Sequence, residues 1–216
     1  TGPTPLDDME ELHDANYLIN RPIDSEHDWI DDEPNWVESY IASAEHPHRQ
    51  LIVDAVRQMY PCNVLEIGCN VGSNLLRLKE MFVNIQVAGI DVNKKCLKIA
   101  QESIKGEFKL GSYFNIPFPD KSYDCVLADA VLMYAGSDKI NEAMAEIDRI
   151  ARKALIIIDR VSKSKDGTRS GHVWDRNYPL ILKDMGYKVE KTKITPESWP
   201  YSIGWQKQGM FMVATK

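Results

Sequence analysis

The sequence predicts a doubly wound α/β fold, with one sheet of seven mostly parallel strands, helices on both faces and a helical cap at the N-terminus. Strand-like and helix-like segments alternate from Pro61 onward. Segments such as "CVLA" (125–128) and "ALIII" (154–158) are apolar at consecutive positions, as parallel strands covered on both faces must be. The stretch "VLEIGCNVGSNLLRL" (64–78) runs a β-favouring segment into a glycine turn and then into leucines at helical spacing.

Residues 1–35 are acidic and interrupted by Pro3, Pro5, Pro22 and Pro34, while Trp29 and Trp36 suit a segment that packs rather than trails. Helical spacing runs from Trp36 to Ala44 and from His48 to Met59, with Pro47 breaking the path between them. Residues 1–60 are therefore expected to form a cap on the same domain as 61–216. Strands are expected at 64–68, 86–91, 107–111, 123–130, 153–159, 186–194 and 209–215. Helices are expected near 73–82, 94–104, 138–151 and 172–185. The third of these puts Ile140, Ala143, Met144, Ile147 and Ile150 on one stripe, with Ser137 or Asp138 as cap. "TPESWPYSIGWQKQ" (195–208) has no helical pattern, and a long loop there permits an antiparallel final strand.

A chain of 216 residues suffices for one core. A net charge of -6 argues against a nucleic-acid partner, because phosphate neutralisation dominates that affinity. Cys62, Cys69, Cys96 and Cys125 form no C-x-x-C pair and adjoin apolar stretches, so reduced core thiols in a cytoplasmic setting are expected. No apolar run approaches the ~20 residues of a membrane span. Thr1 is not an initiator methionine, so the start is expected to be processed or engineered.

Gly68 and Gly72 remove Cβ atoms where backbone must bend sharply and approach a ligand, and the helix after them aims free N–H groups at the same place. Asp91 closes the second strand, "VAGID", nineteen positions after Gly72, where a carboxylate can accept from both hydroxyls of a ribose. The dinucleotide fingerprint G-x-G-x-x-G is broken by Asn70 and Ser73. Glu66, two residues before the turn, is unhelpful to a pyrophosphate but suits a sulfonium and an α-ammonium group. The pattern favours a cationic, phosphate-free nucleoside.

Together with "VAGIDVNKKCLKIA" (87–100) and "GSYFNIPFPDKSYDCVLADAVLMY" (111–134), the glycine segment resembles the class I S-adenosylmethionine-dependent methyltransferases, over about 64–160. "LKDMGYKVE" and "GMFMVATK" resemble that family's C-terminal strands. The resemblance implies a Rossmann-like methyltransferase fold with S-adenosyl-L-methionine as cofactor and S-adenosyl-L-homocysteine as product. It implies that Glu66, Gly68, Asn70 and Gly72 lie along the methionine part, with Asp91 on the ribose and Val92 beside the adenine. Ser112 and Tyr113 match the adenine-contacting position, where the family commonly has aspartate, and Asp129 matches one that touches the methionine moiety. Asn70 also departs from the commonest motif, though its side chain could reach the amino acid end.

Methyl transfer is an in-line displacement that needs orientation first, and a base only where the acceptor loses a proton. Acceptor contacts are expected from Tyr134, Arg160, Trp174, Arg176 and Tyr178, with Tyr134, Asp129 and His172 as candidate catalytic groups. His172 could serve as a base, and Arg160 or Arg176 could clamp an acid; each is equally a surface or packing residue. "EHPHRQ" (45–50) is a poor metal site, so no metal is expected, and Arg49 or His48 is read as a lid residue reaching the cofactor carboxylate. Trp199, Tyr201 and Trp205 favour packing over substrate cover. The expected partner is a small-molecule acceptor, with monomer or homodimer left open. A different reaction of the same cofactor, such as aminopropyl-type transfer or cyclisation, and a catalytically silent cofactor-binding subunit remain as alternatives.

Overall fold

The computed structural model describes residues 41–170, 173–200 and 202–216. Most of the expected cap lies outside them, as do His172 and Tyr201.

Helix α1 (Arg49–Met59) leads into β1 (Asn63–Ile67), α2 (Ser73–Met81), β2 (Gln86–Asp91), α3 (Lys94–Ser103) and β3 (Glu107–Leu110). After β4 (Tyr123–Asp129) come a single 3-10 turn (Leu132–Tyr134), α4 (Ile140–Ile150) and β5 (Ala151–Arg160). A small hairpin, β6 (Thr168–Ser170) with β7 (Val173–Asp175), precedes α5 (Tyr178–Asp184), β8 (Lys188–Lys193), α6 (Ile203–Gln208) and β9 (Gly209–Thr215). The seven-stranded sheet has the order β3-β2-β1-β4-β5-β9-β8. Its first five strands pair in parallel, and β9 runs antiparallel between β5 and β8.

The core forms two layers because successive strand residues face opposite sides. Leu65, Ile67, Ile90 and Leu155 pack with Ile140, Met144 and Ile147 of α4 and Leu182 of α5. Val64, Leu127 and Ile156 pack on the other face with Ile52 and Val56 of α1, Leu75 and Leu78 of α2, and Leu97 of α3. Each such side chain, fully withdrawn from water, contributes roughly 1.5–3 kcal/mol. The described part of the cap, α1, thus shares the sheet's own core.

The last predicted helix begins at Tyr178 rather than at 172. Pro179 fits only a first helical turn, and Asn177 accepts the Leu180 N–H as cap, so the preceding residues are free to pair as the hairpin. Helix α4 starts after Lys139 with no side-chain cap, in place of the expected Ser137 or Asp138. The 195–208 segment holds a short helix after all, α6, started by Ser202 and anchored by buried Trp205. Cys69, Cys96 and Cys125 are buried thiols, whereas Cys62 is exposed.

Candidate functional site

Parallel register places Glu66, Asp91 and Asp129 at the same end of the sheet, since Ile67 pairs with both Ile90 and Ala128. This is the carboxyl end, where open α/β sheets bind ligands. The turn between β1 and α2 is held by the Cys69 N–H on the Ile90 carbonyl (2.9 Å) and the Gly72 N–H on the Cys69 carbonyl (2.8 Å). Gly68, Asn70 and Gly72 have φ of 67°, 49° and 83°. Asparagine tolerates this left-handed region better than most residues, which explains how Asn70 stands where the motif usually has glycine. Its Oδ1 accepts the Val71 N–H at 2.7 Å, so that oxygen is engaged with its own turn. A Cβ on Gly68 would lie 2.6 Å from Val131 Cγ2, and one on Gly72 2.5 Å from Ile104 Cδ1. The space the missing side chains leave is therefore filled by protein, and the glycines serve the bend and its packing.

Asp91 ties two loops together: Oδ2 accepts the Asn70 N–H (2.7 Å) and Oδ1 the Asn93 N–H (2.8 Å). The Val92 N–H adds a third backbone bond, and a carboxylate offers about four acceptor positions, so room remains for a hydroxyl donor. Burial raises the Asp91 pKa, against which these backbone bonds act. Val92 follows half-buried, and Ser112 Oγ accepts the Phe114 N–H (3.1 Å) in the turn after β3. Tyr113 is buried and meets Phe114 edge-on at 4.5 Å.

Asn74 is the hub of the other half of the site. Its amide nitrogen donates to Glu66 Oε1 (2.6 Å) and Asp129 Oδ2 (2.9 Å), and its oxygen accepts from Arg49 Nη1. Arg49 also donates to the Ala44 carbonyl at 3.1 Å. Asp129 Oδ2 accepts in addition from His48 Nε2 at 2.7 Å, with side chains only 9% and 3% exposed. Burial opposes ionisation of Asp129, but the charges of His48 and Arg49 and the bonds from His48 and Asn74 win and hold it at about 2. Glu66 goes the other way, pushed up to about 8, chiefly by burial and further by Asp129 and Asp91, with Asn74 and Arg49 opposing. Among the described residues, Glu66 Oε2 and Asp129 Oδ1 are buried without a hydrogen-bond partner. Two buried carboxyl oxygens without a partner, one of them on ionised Asp129, fit a cationic donor group.

The histidines of "EHPHRQ" join this network. His46 Nδ1 meets His48 Nδ1 at 2.5 Å, and Trp199 packs on both rings at 4.7 and 4.5 Å. Trp199 stacks in turn on Trp205 at 4.1 Å. No group of three His, Cys, Asp or Glu able to hold a metal ion occurs among the described residues. Sequence reasoning missed Asn74, although its place two residues past Gly72, in the first turn of α2, was the available signal.

The expected acceptor-side residues do not converge as clamps. Arg176 is fully buried and donates to the carbonyls of Leu132 (3.2 Å) and Ala135, so it braces the turn after β4. Arg160 pairs with buried Asp175 at 2.9 Å and also donates to Gln208, joining β5 to the hairpin and α6. Neither guanidinium lies open to a ligand, which corrects the clamp reading on steric grounds. Tyr178 is fully buried, Trp174 is half-buried with the Arg176 guanidinium 5.7 Å from its ring, and Tyr134 is buried in the turn after β4. His172 lies outside the described residues.

A family model described as a methyltransferase domain matches residues 65–158. A demethylmenaquinone methyltransferase of Thermotoga maritima is 32% identical over 79 residues, covering 36% of this chain and 34% of that protein. An ajmaline N-methyltransferase of Rauvolfia serpentina is 28% identical over 138 residues, covering 60% and 46%. An uncharacterized protein of Methanocaldococcus jannaschii is 31% identical over 145 residues, covering 61% and 67%. The chain thus spans between a third and a half of the length of the first two. Among solved structures, the magnesium protoporphyrin IX methyltransferase of Synechocystis with bound SAH superposes with a TM-score of 0.62 at 16% identity, covering 87% of this chain and 90% of that one. A possible histamine N-methyltransferase of Thermotoga maritima gives 0.59 at 19% identity, covering 84% and 95%.

Proposed function

Since the chain belongs to the class I S-adenosylmethionine-dependent methyltransferases, we propose that it transfers the methyl group of S-adenosylmethionine to a small-molecule acceptor by in-line displacement. The observation that carries this is the trio of carboxylates at the ends of β1, β2 and β4, two of them with orphaned buried oxygens. In this reading Asp91 accepts from the ribose hydroxyls, Val92, Ser112 and Tyr113 border the adenine, and Glu66 and Asp129 receive the α-ammonium group. Arg49 and Asn74 fix the orientation of those two carboxylates. The cofactor, when bound, supplies a methyl carbon activated by a sulfonium. The protein's own part is to hold the acceptor in line with that carbon, which is worth ~7–11 kcal/mol of barrier. Tyr134 and Trp174 remain candidates for the acceptor wall, and His172 for a polar contact there.

Relatives named for menaquinone precursors and an alkaloid support a small acceptor, and the net charge of -6 disfavours a polyanion. No helix among the described residues is long and apolar enough to cross a membrane. The four free thiols suit a reducing, cytoplasmic setting.

The test is thermal melting with S-adenosylhomocysteine and with NAD. The first should raise the melting temperature and the second should not; the reverse removes the cofactor assignment. By calorimetry, Asp91→Ala should weaken S-adenosylhomocysteine by about 2–4 kcal/mol, from two lost hydrogen bonds to a charged group. Unchanged affinity would take the carboxylate off the ribose. A turnover product other than S-adenosylhomocysteine would move the protein to another chemistry of the same cofactor.

A further inference from the structure

Asn74 gathers two carboxyl groups on one nitrogen. Its Nδ2 donates to Glu66 Oε1 at 2.6 Å and to Asp129 Oδ2 at 2.9 Å, so those two oxygens are no farther apart than the two bonds together. The amide cannot face the other way, because its Oδ1 meets the Arg49 guanidinium, which only donates. Both carboxyls are withdrawn from water: Glu66 is 3% exposed and the Asp129 side chain 9%. Two like charges this close and this dry oppose each other, and one carboxyl of such a pair keeps its proton.

Their remaining contacts decide which one. Asp129 Oδ2 also accepts from His48 Nε2 at 2.7 Å. Glu66 Oε1 meets the neutral Asn74 amide, and Glu66 Oε2 is buried without a partner among the described residues, as is Asp129 Oδ1. The other ionisable groups facing Glu66 are Asp91 from β2, a further anion, Arg49 from α1, held beyond Asn74, and the buried Cys69 thiol of the turn. Burial first, then Asp129 and Asp91, push Glu66 up to about 8 against Asn74 and Arg49, while Asp129 is held at about 2.

We propose that Glu66 carries a proton which the α-ammonium group of the cofactor displaces, so that this residue selects for ligands that bring a cationic amino acid end. This rests on the methyltransferase reading and deepens it. The exchange balances: the ammonium enters as a cation, Glu66 releases one proton to solvent, and no covalent bond other than that O–H changes. The two carboxyls and the ammonium together then carry the single negative charge that the two carboxyls carried before. No net charge is added to a site where an uncompensated one is costly. A nucleoside without the amino acid part cannot drive the exchange. Affinity for the complete ligand therefore rises with pH until Glu66 ionises by itself, near pH 8.

The test is titration calorimetry of the full chain at pH 6, 7 and 8, in buffers of different ionisation enthalpy. The ligands are S-adenosylhomocysteine and 5′-methylthioadenosine, which has the same nucleoside and a thioether but no amino acid part. At pH 7 the protein should release about 0.9 proton per S-adenosylhomocysteine bound, and affinity should rise about tenfold from pH 6 to pH 7. 5′-Methylthioadenosine should release no such proton. Glu66→Gln should bind S-adenosylhomocysteine more weakly, with neither the release nor the pH slope. Infrared difference spectra of the wild type against Glu66→Gln at pH 7 should show a protonated carboxyl band that S-adenosylhomocysteine abolishes; the contribution of Asp159 is common to both proteins and cancels.

Binding of S-adenosylhomocysteine without proton release overturns the exchange, as does equal release with 5′-methylthioadenosine or undiminished release in Glu66→Gln. A missing carboxyl band overturns it as well. In each of these cases the bound S-adenosylhomocysteine leaves the methyltransferase reading standing. A protein that shows the band yet binds no S-adenosylhomocysteine at any of the three pH values removes that reading, and the exchange with it.

Discussion

Replacing Glu66 by glutamine should stabilise the protein at pH 8 and do little at pH 5. The carboxyl is 3% exposed, one of its oxygens has no partner among the described residues, and its pKa rises from 4.5 to about 8 on folding. Between those two values the folded chain holds the Glu66 proton while the unfolded chain has released it, so stability falls as pH rises through the window. At about 1.36 kcal/mol per unit, the cost is about 1 kcal/mol at pH 5 and about 4 kcal/mol at pH 8. Glutamine is of nearly the same shape, keeps an oxygen for Asn74, and presents an amide donor toward Asp129 instead of a second acceptor. Urea unfolding followed by tryptophan fluorescence, on both proteins at both pH values, isolates the effect. Other groups, such as Asp159, which burial raises to about 7 against its backbone hydrogen bonds, titrate alike in the two proteins and cancel. The advantage of the variant should grow by about 3 kcal/mol from pH 5 to pH 8, while S-adenosylhomocysteine binds more weakly. An advantage that is equal at both pH values, or a loss at pH 8, would refute the buried-carboxylate argument.

Two further outcomes follow from packing. Gly72→Ala combines a left-handed backbone (φ +83°) with a Cβ 2.5 Å from Ile104, and should cost about 2–4 kcal/mol, whereas Gly186→Ala (φ +88°) has nothing within 4 Å and should cost about 1–2 kcal/mol. Equal melting temperatures for the two variants would dismiss the packing role of the first. Arg176→Met leaves the buried Ala135 carbonyl without its donor, while the Leu132 carbonyl keeps the Ala135 N–H, and should cost about 1–3 kcal/mol in urea unfolding, with S-adenosylhomocysteine affinity retained by the folded fraction. Unchanged stability with lost acceptor turnover would restore its role as a clamp.

The sheet was legible because its strands obey local rules. Buried parallel strands carry runs of consecutive apolar residues, as 125–128 and 154–158 do, and the α4 stripe of Ile140, Ala143, Met144, Ile147 and Ile150 is buried throughout. Boundaries slipped where one residue outweighs a pattern, as Pro179 does at the start of α5. The carboxyl cluster at the strand ends was legible for a related reason: Glu66 and Asp91 sit at the ends of adjacent parallel strands joined by one helix, so chain order alone brings them together.

The acceptor side was not legible. Arg160 ends β5 and Arg176 follows β7, and nothing local distinguishes a guanidinium that faces a ligand from one spent on Asp175 or on the Leu132 carbonyl. The His46–His48–Asp129 chain is a sharper case, because His48 and Asp129 are 81 positions apart and meet only when α1 packs against the strand ends.

By itself the sequence determined the doubly wound sheet, the bend between β1 and α2, and the carboxylates at the strand tips, all of which follow from hydrophobic period and backbone freedom within a few neighbouring residues. Only the tertiary structure decided which polar side chains share a buried space, which carboxyl holds its proton, and which arginines are braces. Those properties depend on desolvation and on distances between groups remote in the chain, and no local pattern encodes either.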